Sequence, residues 1–286
     1  GGLSNGLIRD NEFTTTCGVV NLLGGGIAIE NNIMLGENAD ARCFMVQIDA
    51  REIDGFGDVG IRDNTIRTSG SGFNVTLNNR NDVASIVMER NSAEFLSTAS
   101  FAATAVRAAT IEGSTLKIIN NSFDRVDNFE AITVFGAERA EEIVFANNNI
   151  RGNDRSYTNI ETSPLIRIDA STSTYAGPMP VVLVNNLIFG LGNVGIDIQA
   201  GTTLDSDFNL FWNVASRYSG GSSTTASNDL EADPLLDGGT LRITASSPAV
   251  DAAATSAQYP DVPDVDIDGT PRPVGSGVDI GAHEVN

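Results

Sequence analysis

Apolar and polar positions along the chain fall into one short frame, apolar-x-x-Asn-x-apolar, which returns eight times. It reads Ile8–Phe13 around Asn11, Ile29–Met34 around Asn32, Ile61–Ile66 around Asn64 and Met88–Ala93 around Asn91. It continues as Ile118–Phe123 around Asn121, Phe145–Ile150 around Asn148, Leu183–Ile188 around Asn186 and, more weakly, Ser206–Phe211 around Asn209. Successive asparagines lie 21, 32, 27, 30, 27, 38 and 23 residues apart. A period of this size with variable insertions is that of a solenoid, in which each rung buries its apolar face only against its neighbours. Asparagine suits a sharp corner between short strands, because it tolerates left-handed backbone and bonds to nearby backbone groups. Stacked at the strand spacing of about 4.8 Å, such side chains can bond amide to amide and satisfy polar groups in a narrow core.

A second strand follows each corner, with apolar residues bracketing a polar one. Examples are Val20-Asn21-Leu22, Val46-Gln47-Ile48, Val75-Thr76-Leu77, Ile132-Thr133-Val134, Ile166-Arg167-Ile168 and Ile196-Asp197-Ile198; Val106-Arg107-Ala108 fits less well. That alternation marks half-buried strands. No segment keeps a helical apolar period, although the alanine-rich stretch 93–110 leaves room for a short helix. The pattern predicts an all-β, parallel β-solenoid of about eight coils over residues 1–215, followed by a polar, flexible loop and a capping segment of the same domain over 216–286.

Composition agrees: 6% of residues are aromatic, 19% are charged and 29 are glycine, as short strands joined by many turns require. No apolar run approaches the length of about 18 residues that a transmembrane helix needs. Gly1 opens almost directly onto the first repeat with no signal peptide before it, and an uncapped solenoid end invites edge-to-edge association. The expectation is a processed piece of a longer precursor, or an N-terminal end covered by another subunit or a copy of the same chain. Seventeen basic residues against 37 acidic ones give a net charge of −20. That surface repels nucleic acid and anionic membranes, and disfavours acidic polysaccharides unless calcium or an arginine cluster reverses the local field.

Cys17 and Cys43 open segments that superpose without a gap, Cys17-Gly-Val-Val-Asn-Leu and Cys43-Phe-Met-Val-Gln-Ile. They should therefore stack on adjacent coils, within the Cα separation of about 4.4–6.8 Å that a disulfide accepts. Two readings stand: a disulfide, which implies an oxidising compartment, or two buried thiols stacked like other core residues.

Past residue 215 the repeat stops, and the polar stretch Ser216–Asn228 leads into a different text. Ser247-Pro-Ala-Val-Asp-Ala252, Asp266-Ile-Asp-Gly-Thr-Pro-Arg-Pro273 and Val278-Asp-Ile-Gly-Ala-His-Glu284 resemble the closing signature of bacterial secreted right-handed parallel β-helix proteins of the choice-of-anchor Q type, as does Ser206-Asp-Phe-Asn-Leu-Phe-Trp-Asn213. The resemblance covers about 80 residues specifically. It implies a right-handed, pectate-lyase-like fold, an irregular C-terminal cap, export, and an extracellular or cell-surface location. It does not imply one activity, because this fold hosts enzymes, adhesins and structural proteins alike. Asp264, Asp266 and Asp268 before Gly269 provide the first half of a calcium loop, but the glutamate expected six residues after the glycine is replaced by Gly275. The competing use is structural, with Arg272 paired to Asp268, Asp279 or Glu284 to pin the tail over the last coil. His283, the only histidine, reads as a packing residue.

Chemistry is sparse. Lyases of this fold use a basic side chain, often with calcium, to remove a proton beside a uronate, and hydrolases need paired carboxylates. Lys117, the sole lysine, precedes a ladder corner where an outward, solvated side chain is the ordinary outcome. Carried over from related folds, a ligand groove would lie along the outward row Asn21, Gln47, Thr76, Arg107, Thr133, Arg167 and Asp197, with Asp49 and Asp169 on the same face. Arg107, Arg167, Asp169 and Asp197 are its catalytic or sugar-binding candidates, against the plain alternative of a solvated polar face. Three functions remain: a structural or adhesive extracellular module with an end open to end-to-end assembly; a polysaccharide lyase acting on an acidic glycan; and a non-catalytic glycan-binding module.

Overall fold

The computed structural model describes residues 6–18, 20–23, 26–36, 43–50, 58–77, 85–96, 104–109, 114–126, 131–135, 140–152, 164–169, 178–190, 194–199, 201–220 and 223–285. They form a right-handed parallel β-helix. Each coil but the last contributes one strand to each of three parallel sheets; the first coil supplies Gly6–Arg9, Glu12–Thr14 and Val20–Leu23. Among the described residues the first and second sheets have nine strands each and the third has eight. The coils continue beyond residue 215, through Ser216–Gly220, Ser223–Ala226 and Leu230–Glu231. The expected flexible loop is thus largely a polar last coil, whose serines and threonines still pair with the strands beneath it. The alanine-rich stretch is strand at Ser92–Phe95 and Val106–Ala109; residues 97–103 and 110 lie outside the described residues.

The frame maps onto the corner between the first and second sheets. Its leading apolar residues Ile29, Ile61, Met88, Ile118, Phe145 and Leu183 have no exposed surface. The asparagine carboxamides form a continuous chain: Nδ2 of Asn11, Asn32, Asn64, Asn91, Asn121, Asn148 and Asn186 each donates to Oδ1 of the next, at 2.9–3.1 Å. Each Oδ1 also accepts the backbone N–H of the asparagine one coil below, as Asn148 does from Asn121 at 2.9 Å. The left-handed residue is the one before each ladder asparagine. Asp10, Asn31, Asp63, Arg90, Asn120, Asn147, Asn185 and Phe208 have φ between 52° and 59°. Their strained corner frees the next side chain to point inward.

The ladder ends on a carboxylate. Asp229 Oδ1 accepts both the backbone N–H and Nδ2 of Asn209, at 2.7 and 2.9 Å, and Oδ2 accepts the hydroxyls of Ser206 and Tyr218. Burial and the Asp229 bond push the Tyr218 phenol above its ordinary pKa, so the hydroxyl stays a donor.

Among the described residues the contacts of the segment after Glu231 are lateral. It returns along the outside of the first and second sheets and braces the later coils. Leu241, Ile243, Ala249 and Ile280 pack on Leu187, Phe189 and Leu210; Ala254 and Val262 pack on Ile119, Val144, Ala146 and Val184. Asn185 meets the brace as a strand would, accepting from Ala254 N at 2.7 Å and donating to Ala254 O at 2.9 Å. Asn149 does likewise, with Ala282 N at 2.9 Å and Leu241 O at 2.7 Å. Gly281, at φ 103°, presses against Asn149 and Leu187 where a Cβ would collide. One outward column of the first sheet records the boundary. It reads Arg9, Glu30, Arg62, Glu89, then Ile119, Ala146, Val184 and Asp207. Where the brace is absent the column alternates in charge, with Arg62 between Glu30 at 3.9 Å and Glu89 at 3.4 Å. Where the brace lies it turns apolar at Ile119, Ala146 and Val184, and Asp207 accepts the Tyr259 hydroxyl of the brace at 2.9 Å.

Candidate functional site

Arg272 anchors the brace. Its side chain is 2% exposed and that of Glu284 is 0%, and they meet at 2.5 Å. The guanidinium also donates to the carbonyls of Asp279 and Gly281 and to Asn120 Oδ1 at 3.1 Å. Burial draws the Arg272 pKa below its ordinary value and Glu284 opposes that shift. The partner is Glu284 rather than Asp268. The pinning point is the corner of a middle coil, at Asn120, rather than the last coil.

Asp266 and Asp268 are likewise occupied. Asp266, 1% exposed, accepts the backbone N–H groups of Asp268 and Thr270 on one oxygen and of Glu284 on the other, at 2.7–3.1 Å. Asp268 is 2.6 Å from Arg242 and 3.2 Å from His283 Nδ1. Burial alone would raise the Asp268 carboxyl, but Arg242 and His283 hold it below the usual range. Asp266, Asp268 and His283 do cluster, with ligand atoms within 4.8 Å of one another. The donor set nevertheless suits calcium poorly. It offers a nitrogen where oxygens are needed, both Asp266 oxygens already hold N–H groups, and the Arg242 guanidinium faces the Asp268 carboxylate. Asp264 lies outside that cluster, and its carbonyl accepts Arg272 N at 2.8 Å.

On the third sheet, register decides the outward row. Asn21 pairs with Gln47, Gln47 with Asn74, and Asn74 with Arg107. The row continues through Thr133, Arg167 and Asp197 to Ser219. Thr76 stands one column along, between Asp49 and Ala109. Both Phe73-Asn74-Val75 and Val75-Thr76-Leu77 bracket a polar residue with apolar ones, so alternation alone could not choose between them. The side chains of Asn21, Asp49 and Thr76 lie outside the described residues.

The row does bring Arg167 and Asp197 together, at 3.6 Å. Asp197 also accepts the Ser219 hydroxyl at 2.6 Å and the Gln199 amide at 3.4 Å. Thr133 is 3% exposed. Arg107 lies over the Phe135 ring, 4.9 Å from its centroid, an ordinary cation–π arrangement. Asp169 pairs with Phe135 in the neighbouring column. Lys117 is no free base: its ammonium sits 2.5 Å from Asp261 of the brace.

A feature absent from the sequence reading is a cleft of about 550 Å³ where the front of the brace overhangs the second sheet. Thr65, Ser92 and Ser122 stack in register on its floor. Each immediately follows a ladder asparagine, so the fifth position of the frame carried the signal. Arg90 and Asp63 form one wall with bonds of 2.7 and 2.9 Å. Glu94, held by Arg125 at 3.2 Å, and Asp124, held by Arg151 at 2.6 Å, form the other. Arg242, Asp268 and Ile267 of the brace close the end. Burial, partly offset by Arg151, raises the Asp124 carboxyl above its usual range.

No protein-family model and no curated protein matches the chain. Among the described residues, no helix is long and apolar enough to cross a membrane.

Proposed function

We propose that the chain is a non-catalytic module of an extracellular or cell-surface protein, structural or adhesive in role. The observation that carries this reading is that its acid–base candidates are spent on holding the fold. Lys117 is bonded to Asp261, and Arg167 lies 3.6 Å from Asp197, which is itself held by Ser219 and Gln199. His283 is held by Asp268, and Arg107 lies over Phe135. A lyase needs a base that is free to reach its substrate. A disulfide joins Cys17 and Cys43, with Cα atoms 5.1 Å apart, which supports an oxidising compartment. The closing segment's resemblance to choice-of-anchor Q proteins supports export and surface attachment. The test is incubation of the purified chain with polygalacturonate, alginate and chondroitin, with and without calcium. The reading predicts no rise in ultraviolet absorbance from unsaturated uronates and no new reducing ends. Product that vanishes in an Arg167→Ala variant would replace it with a lyase.

A further inference from the structure

We propose that the cleft between the second sheet and the front of the brace binds a neutral saccharide. The inference rests on the reading of the chain as a non-catalytic module and names what such a module would hold. Charge comes first. Each carboxylate of the cleft faces its own guanidinium: Asp63 with Arg90, Glu94 with Arg125, Asp124 with Arg151, and Asp268 with Arg242. The cleft is therefore close to neutral on a chain of net charge −20. An anion finds no unpaired cation there and meets a repulsive field on approach, while a cation finds no unpaired carboxylate. Polarity comes second. The floor is a line of hydroxyls, Thr65, Ser92 and Ser122, repeated at the strand spacing of about 4.8 Å, so an apolar guest would strand polar groups.

What remains is a ligand dense in hydroxyls and without charge. Paired carboxylates and guanidiniums hold one another in fixed orientations and retain further lone pairs and N–H groups for a ligand. Such preorganisation lowers the cost of binding. The volume, about 550 Å³, falls within the range of about 300–1,000 Å³ usual for ligand sites. Half-buried Ile267 on the brace adds an apolar surface against which the C–H face of a sugar ring can rest. Coil and brace each supply part of the site, so an unbraced solenoid would lack it.

The experiment applies the labelled full chain to an array of neutral and uronate oligosaccharides. The proposal expects retention on neutral glycans, reduced about tenfold or more by Ser92→Trp, which fills the cleft from an outward strand position. Glu94→Gln, which releases Arg125 without adding bulk, should weaken retention as well and serves as the readout if the tryptophan variant does not fold. No retention on any neutral glycan, preference for uronates, or retention unchanged in a folded Ser92→Trp protein would overturn the proposal. Release of products from a retained glycan would instead defeat the non-catalytic reading and leave the cleft assignment standing.

Discussion

Replacing Asn148 by alanine removes one carboxamide from the middle of the ladder. Asn148 has no exposed surface and makes four bonds. Its Oδ1 accepts from Asn121 N at 2.9 Å and Asn121 Nδ2 at 3.0 Å; its Nδ2 donates to Ile118 O at 2.7 Å and Asn186 Oδ1 at 2.9 Å. Three of these partners have others. Asn121 Nδ2 keeps Met88 O and Ile119 O, and Asn186 Oδ1 keeps the backbone N–H of residue 148. The Ile118 carbonyl still lies within a sheet strand. The Asn121 backbone N–H, however, loses its acceptor in a buried corner. Stranding that group costs about 1–3 kcal/mol and each of the other three bonds about 0.5–1.5 kcal/mol, on the order of 4 kcal/mol together. That is a large fraction of the roughly 5–15 kcal/mol by which domains are stable. Asn11→Ala is the control, because it removes only the exposed Nδ2 bonds to Asn32 Oδ1 at 3.1 Å and Arg9 O at 2.8 Å and keeps the backbone N–H bond to Asn32; water can replace the lost bonds at a cost under about 1 kcal/mol. Urea titration by circular dichroism and Trp212 fluorescence compares the two midpoints. Hydrogen exchange checks that the coils unfold together, which repeat arrays need not do. Equal midpoints for the two variants would refute the ladder as a source of stability.

Other consequences follow from the brace and the first coils. Arg272→Met leaves the Glu284 carboxylate buried without its cation and should cost about 3–5 kcal/mol; adding Glu284→Gln should recover part of it, read from urea midpoints. Burial, aided by Arg242, lowers the pKa of His283 in the fold. The unfolded chain therefore takes up the proton first, and stability falls as pH drops below the unfolded value of about 6.5. As the sole histidine, its share of that loss should disappear in His283→Gln, measured by urea midpoints on either side of that pH. Reducing the Cys17–Cys43 bridge, which closes a separation of 26 residues, removes about 3.5 kcal/mol in the chain-entropy account. Hydrogen exchange should place that loss in the first two coils and leave the braced coils protected.

The coils were legible because their signal is local and repeated. A corner asparagine between two inward apolar residues recurs whatever loops intervene, and its spacing also stacked Cys17 over Cys43. Register was less legible where a strand ran long, as at Ser71–Leu77, where two equivalent triplets differ only in what lies above and below them. Where the closing segment packs was not legible because its contacts are non-local: Arg272 reaches Asn120, and Lys117 reaches Asp261. Its trace was present in the outward column that changes from Arg62 and Glu89 to Ile119, Ala146 and Val184. Apolar outward residues in a solenoid mark covered ground, and on that evidence the later coils had to be covered. The cleft was hidden for the same reason, since the brace closes its end.

The brace itself can be tested directly, because Lys117 is the only lysine in the chain. Its ammonium lies 2.5 Å from the Asp261 carboxylate across a sequence separation of 144 residues. Treating the native protein with a carbodiimide, which joins amine to carboxyl without a spacer, and mapping peptides by mass spectrometry reads that one contact. The account predicts an amide between Lys117 and Asp261, lost when the protein is unfolded before treatment. A native protein in which Lys117 joins no residue of the segment beyond Glu231 would contradict the lateral brace and return the segment to the end of the coil.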